Sequence, residues 1–199
     1  MKTILQLNTS ILSNNGESSR LANEFVAQLE AGEVIVRDLA NDPVPHLNAE
    51  RFGAFLAKPE GRTLKQDAIV AYSDGLIGEL KKADTIVLGL PMYNFGVPST
   101  LKAWIDHVAR AGVTFKYTAT GPVGLLTGKK LYVFATRGGL YEGTPRDTQT
   151  AYVREFFAFV GITDVEFVYA EGLAMGEPSR DAALSRARDS IEKLVPAYA

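Results

Sequence analysis

Short β-branched runs alternate with longer helical patterns from one end of the chain to the other. No other feature limits the fold as much. The runs fall at Thr3–Leu7, Val34–Val36, Thr85–Leu90, Leu131–Thr136 and Val165–Ala170. Several are apolar almost throughout, which suits strands buried on both faces. Helical spacing fills the gaps. Leu21, Phe25, Val26 and Leu29 share a face behind Ser18 and Ser19, two plausible caps. Ile69, Tyr72, Leu76, Ile77 and Leu80 mark a second helix. Leu101, Trp104, Ile105 and Val108 mark a third, opened by Pro98-Ser99-Thr100. Tyr152, Phe156, Phe159 and Val160 define a fourth, and Leu184, Ala187, Ile191 and Leu194 a fifth. Five strands alternating with five helices predict a parallel, doubly wound α/β sheet with helices on both faces. At 199 residues, one domain spanning 1–199 with a substantial core is expected.

Composition removes several kinds of chemistry. There is no cysteine, so disulfides, thiolate nucleophiles, cysteine-bound iron–sulfur clusters and Cys-ligated zinc are excluded. His46 and His107 are the only histidines, too few for a multi-histidine site, and no metal is expected. His46 sits in the turn-like stretch Asn41–His46 and reads as a surface residue. His107 lies inside the third helix and reads as structural. A net charge of −2 gives no basic surplus for nucleic acid. The run Ile4–Leu7 is too short for a signal peptide, and no apolar stretch is long enough to span a bilayer. A cytoplasmic location without nucleic-acid or membrane partners is therefore the default expectation.

In doubly wound sheets, ligands sit outside the carboxyl ends of the strands where strand order reverses. The loops after the first, third and fourth strands are all unusual here. After the first, Asn8–Arg20 is crowded with hydroxyls and amides and leads into a helix. Free N–H groups at a helix start suit a phosphate, and Ser10 and Ser18 can complete its shell. An ordinary polar connection with a Ser cap fits the same residues. Better-known phosphate loops do not fit. Only Gly16 of a G-x-G-x-x-G is present, and Gly124–Lys129 has the wrong gap for a P-loop and is followed by Lys130. A receiver-type carboxylate cluster is also missing, since this loop offers Asn8, Thr9 and Ser10.

After the third strand, Met92, Tyr93 and Phe95 crowd a turn bounded by Pro91 and Pro98. A flat apolar ring such as an isoalloxazine wants that lining, and the Asn94 amide can meet its polar edge. Filling of a core gap is the alternative. After the fourth strand, Gly138-Gly139 in Thr136–Pro145 lets backbone approach a flat ligand closely, or makes a simple turn. Arg137 either pairs with an acidic neighbour and shapes this loop, or faces an anionic reduced ring.

The run Pro91-Met92-Tyr93-Asn94-Phe95-Gly96-Val97-Pro98, followed by Leu101-Lys102-Ala103-Trp104-Ile105-Asp106, resembles the FMN-dependent NADH azoreductase and NADH:quinone oxidoreductase family. Agreement extends to Arg110–Phe115, Gly121-Pro122, Arg137-Gly138-Gly139 and Phe159–Ile162, and so covers nearly the full chain. The resemblance implies a flavodoxin-like three-layer sandwich with five parallel strands in the order 2-1-3-4-5. It implies a homodimer with one FMN per subunit and active sites at the interface. It also implies a ping-pong cycle from NADH to a quinone, azo or nitroaromatic acceptor. Carried over residue by residue, the flavin contacts are Ser10, Gly16, Glu17, Ser18, Met92, Tyr93, Asn94, Phe95, Thr136, Arg137, Gly138 and Gly139.

Two of these depart from the family pattern. Glu17 stands where an uncharged polar residue is frequent. A dianionic phosphate repels a carboxylate, so Glu17 is expected to offer its backbone N–H and point to solvent. Thr136 replaces a frequent Ser and keeps the hydroxyl. No catalytic side chain is expected, because flavin N5 carries the chemistry. Phe115 and Tyr117, in Val113–Thr118, are expected to wall the acceptor slot together with Phe159, although Phe115 and Phe159 also read as core. A flavodoxin-type electron carrier would be more acidic. The segments Asn41–Gly61 and Ala111–Lys130 exceed a minimal carrier and suit dimer contacts and a substrate pocket. A non-enzymatic α/β module would purify colourless. The choice between NADH and NADPH stays open.

Overall fold

The five β-branched runs form one parallel sheet in a computed structural model, which describes residues 2–198; its three central strands are buried nearly throughout, whereas the edge strand over 33–38 has no buried residue. The sheet comprises β1 (Thr3–Asn8), β2 (Glu33–Asp38), β3 (Thr85–Pro91), β6 (Lys130–Thr136) and β7 (Asp164–Ala170). Between β3 and β6 a separate antiparallel hairpin is formed by β4 (Phe115–Thr118) and β5 (Gly121–Gly124). The main-sheet order is β2-β1-β3-β6-β7. Counted among themselves, its five strands run 2-1-3-4-5. The central β3 is buried at every position, which explains why its sequence shows no alternation.

Helices α1 (Glu17–Val26), α2 (Ala49–Leu56), α3 (Leu64–Lys82), α4 (Ser99–Val108), α5 (Thr148–Val160) and α6 (Glu177–Leu194) complete the chain. Alternate strand residues feed opposite layers. Ile4, Val87, Tyr132 and Phe134 meet Leu21 and Phe25 of α1 and Leu184 and Ile191 of α6. Leu5, Leu7, Ile86, Leu88 and Val133 meet Leu76 and Leu80 of α3, Leu101 and Trp104 of α4, and Phe157 of α5.

The structure corrects four sequence readings. A sixth helix, α2, lies inside 41–61; it has eight residues, one of them Gly53, and its cap is the Asn48 side chain, which accepts from Arg51 N at 2.9 Å. The 111–130 segment folds its own hairpin. Ser18 and Ser19 are not caps. Helix α1 starts at Glu17 with Gly16 as an N-cap that makes no side-chain bond, so both serines lie within the first turn. The buried line of α5 is Gln149, Val153, Phe157 and Val160, while Tyr152, Phe156 and Phe159 flank it half-buried.

The hairpin is locked to the end of α5. Leu126 N donates to Val160 O at 2.8 Å. Gly161, at φ 107°, is the left-handed C-cap of α5. A Cβ added at Gly124 would lie 2.1 Å from Gly161 N and 2.3 Å from Val160 C.

His107 is fully buried on α4, its Nδ1 2.9 Å from Ala103 O and its ring edge-on to Phe55 and Tyr72. Burial pushes its pKa below the ordinary 6.5, against the opposing pull of the Ala103 carbonyl. The unfolded chain takes up a proton near pH 6.5, whereas the folded chain takes it up only at lower pH. Stability is therefore expected to fall as pH drops through 6.5 towards the folded value, by up to about 2 kcal/mol at pH 5. Melting curves from pH 7.5 to 5 check this: His107→Gln should flatten the slope, and an unchanged slope would contradict the assignment.

Candidate functional site

Parallel pairing sets the ends of β1, β3 and β6 side by side, with Asn8 opposite Gly89 and Pro91 opposite Thr136. Hydrogen bonds continue across the loops that follow. Thr9 Oγ1 donates to Gly89 O at 2.7 Å, and Met92 N donates to Thr136 O at 2.9 Å. Ser10, Gly16, Ser18, Met92, Tyr93 and Thr136 thus lie on adjoining loops at one sheet edge.

The first loop leaves polar groups unmet. No side chain caps α1, so its first-turn N–H groups and positive dipole end are free of one. The Ser18 and Ser19 hydroxyls are buried and have no hydrogen-bond partner among the described residues. Such orphans are costly unless a ligand or water meets them. Ser10 Oγ lies 3.2 Å from Tyr93 Oη and accepts from Leu12 N at 3.2 Å. A Cβ at Gly16 would come within 2.1 Å of Ser10 Oγ. A Cβ at Gly89 would come within 3.0 Å of Ser18 O. Both glycines let backbones close around the spot.

Glu17 does not point freely to solvent as expected. Its carboxylate pairs with Arg20 at 3.2 Å and with Arg180, from the first turn of α6. Two guanidiniums offset its charge beside the helix start.

The second loop is a two-residue turn. Tyr93 N donates to Gly96 O at 3.2 Å, and Gly96 N donates to Tyr93 O at 2.9 Å. Between them Asn94 (φ 50°) and Phe95 (φ 62°) are both left-handed. For a ring-bearing side chain this conformation is strained, and it persists only when surroundings impose it. Phe95 is 50% exposed and edge-on to Tyr141, centroids 5.6 Å apart. The imposing groups come from the first turn of α5. Buried Gln149 Nε2 donates to Pro91 O at 3.0 Å and to Gly96 O at 2.9 Å, and Thr148 Oγ1 donates to Phe95 O. Gln149 escaped the sequence reading. The available signal was a polar residue on the Val153–Phe157 face.

The third loop rests on a buried ion cluster. Arg137 donates to Glu171 at 2.9 Å and to Asp147 at 2.8 Å, and lies over the Tyr169 ring. Asp147 also caps α5 through Thr150 N at 3.1 Å. Burial raises the Asp147 pKa, but bonds from Thr150 and Arg137 outweigh it and hold the carboxyl below its ordinary 3.8. Of the two readings for Arg137, pairing with acidic neighbours is the one the structure has. Its two terminal nitrogens are committed, its Nε is buried without a partner among the described residues, and its backbone N–H donates to Ala170 O at 3.0 Å. The carbonyls of Arg137, Gly138 and Gly139 accept from Leu173, Ala174 and Gly172, so this loop has donors to offer and few free acceptors.

The residues expected to wall an acceptor slot are elsewhere in the chain. The rings of Phe115 and Phe159 meet at 4.2 Å, and Tyr117 is 74% exposed. Phe115 and Tyr117 line a cleft of about 370 Å³ with Phe52, Phe55 and Arg110. No residue of the three strand-end loops lines that cleft. Exposed His46 borders a different hollow, which touches Phe95 and Thr148. Among the described residues no group of three or more His, Asp and Glu is placed to hold a metal.

A helix start with orphaned hydroxyls, a strained aromatic turn and a glycine pair thus lie together at the carboxyl ends of the strands of a doubly wound α/β protein. The family model described as "Flavodoxin-like fold" matches residues 2–195, and the chain belongs to that family. Its relatives narrow the kinship. It is 54% identical over 201 residues to an FMN-dependent NADH:quinone oxidoreductase of Cellvibrio japonicus, covering 99% of this chain and 100% of that one. It is 55% identical over 192 residues to the enzyme so named in Alcanivorax borkumensis, covering 94% and 97%. Among solved structures it is similar to an azoreductase from Bacillus anthracis, with a TM-score of 0.88 and 27% identity over 98% of this chain and 99% of that one. An FMN-dependent NADH-azoreductase from the same species, in complex with FMN, matches with a TM-score of 0.86 and 27% identity, covering 98% and 100%.

Proposed function

We propose that this chain is a cytoplasmic, homodimeric FMN-dependent NADH:quinone oxidoreductase that also reduces azo and nitroaromatic compounds. One observation carries the cofactor reading: two buried hydroxyls without partners, at an uncapped helix start closed in by glycines. The phosphate sits there, held by Ser10, Ser18 and the backbone of Gly16 and Glu17. Arg20 and Arg180 offset the Glu17 carboxylate, so it does not drive the phosphate out. The ring lies along Met92, Tyr93, Asn94 and Phe95 on one side and Thr136, Arg137, Gly138 and Gly139 on the other. When bound, FMN supplies two-electron chemistry, accepting hydride from NADH and passing the electrons on. Donors in the 138–139 loop stabilise negative charge on the ring.

The separation of Phe115, Tyr117 and Phe159 from those loops supports the dimer reading. A second subunit brings its own aromatic wall over the ring. Phe52 and Leu56 are 53% and 69% exposed beside Tyr117, an apolar surface suited to burial against a second copy. Among the described residues, no helix is long and apolar enough to cross a membrane.

The purified protein is expected to be yellow, to scatter light as a dimer, and to consume NADH only when a quinone or azo dye is present. A colourless protein that ignores added FMN removes the reading. Asn94→Ala is expected to weaken FMN binding about tenfold, or 1.4 kcal/mol, with the circular dichroism of the fold unchanged. Unchanged affinity would count against the placement of the ring.

A further inference from the structure

We infer that Gln149, assisted by Thr148, is a positioning residue that fixes the shape of the Tyr93–Gly96 turn and through it the redox balance of the bound ring. This rests on the FMN reading above. The turn holds two successive left-handed residues, Asn94 and Phe95, one of them bulky. Asparagine visits that conformation readily, but Phe95 does not hold it without support. Gln149 is fully buried, and its single nitrogen serves the carbonyl that ends the preceding strand, Pro91 O at 3.0 Å, and the one that ends the turn, Gly96 O at 2.9 Å. Its Oε1 has no partner among the described residues, so those two carbonyls alone orient the amide. Few other neutral side chains of this length offer two hydrogens from one nitrogen. Thr148 Oγ1 holds the Phe95 carbonyl between them.

The brace also ties the two edges of the site together. Residue 147, next in the chain, caps α5 and pairs with Arg137, which heads the Gly138-Gly139 loop. One helical turn thus sets both borders of the ring. The N–H groups of a rigid turn are preorganised for charge that develops on reduction, and a loose turn gives that up. Loss of the brace therefore weakens the reduced ring more than the oxidised one.

The test uses FMN-loaded dimer and compares Gln149→Met, Gln149→Glu and Thr148→Val with the unsubstituted protein. For both Gln149 variants, the Kd of reduced FMN is expected to rise about tenfold more than that of oxidised FMN. This lowers the two-electron midpoint potential by about 30 mV. Thr148→Val should shift it the same way by about threefold, roughly 14 mV. A purely structural Gln149 would lower the melting temperature of the apoprotein and leave the potential and visible spectrum of bound flavin unmoved; that result overturns the proposal. Should the Gln149 variants fail to fold, an unshifted potential in Thr148→Val overturns it equally. An unsubstituted protein that takes up no FMN defeats the underlying site reading, a failure distinct from an unmoved potential.

Discussion

Replacing Arg137 with methionine is expected to cost about 3–5 kcal/mol of stability, the largest loss from any single change considered for this chain. The guanidinium is fully buried, and its partners Asp147 and Glu171 are nearly so. Methionine fills similar volume but leaves two carboxylates in the interior without a cation. Glu171 would still accept from the Tyr141 and Glu142 backbones, and Asp147 from Thr150, so the loss stops short of two bare charges. Urea unfolding of the apoprotein measures the change. For a chain of this size the melting temperature should drop by roughly 6–20 °C. Adding Asp147→Asn removes one stranded charge and should restore part of the loss. A loss below about 1 kcal/mol would mean that water already reaches the cluster.

The second large effect falls on turnover. Gly124→Ala places a methyl against Gly161 N and Val160 C, both of them backbone, where no flexible side chain can move aside. The hairpin must lift from the end of α5 and lose the Leu126–Val160 bond. Phe115 and Tyr117 then move relative to Phe159. A displacement of about 1 Å can lower a rate about 100-fold, and a drop of that order in kcat/KM for the quinone is expected. FMN affinity should stay within a few-fold, because none of the three strand-end loops touches this contact. Steady-state kinetics and a flavin titration on one preparation separate the two. Turnover near that of the unsubstituted protein would place the acceptor somewhere other than beside this hairpin.

Most of the sheet was legible from the sequence because β1, β3 and β6 lie between two helical layers and must be apolar nearly throughout. Helix α2 was not, since eight residues containing Gly53 give barely two turns of periodicity. On α5 the conspicuous aromatics Tyr152, Phe156 and Phe159 drew the predicted face about one residue away from the buried line. The three strand-end loops were legible by position and residue type. Their tertiary partners were not. Arg180 reaches Glu17 from 163 residues away, and nothing local to Glu17 announces it. Acidic pairing of Arg137 was one of two open readings, but naming Asp147 and Glu171 needs the β6–β7 neighbourhood. Gln149 reads as an ordinary helix residue until the carbonyls it serves are seen.

The hairpin hangs from the tip of one helix and takes no part in the main sheet. If the acceptor rests against this hairpin, as proposed, residues 115–124 can change without disturbing any hydrogen bond of the three strand-end loops. Breadth of acceptor and fidelity to one cofactor would then reside on different pieces of the same polypeptide.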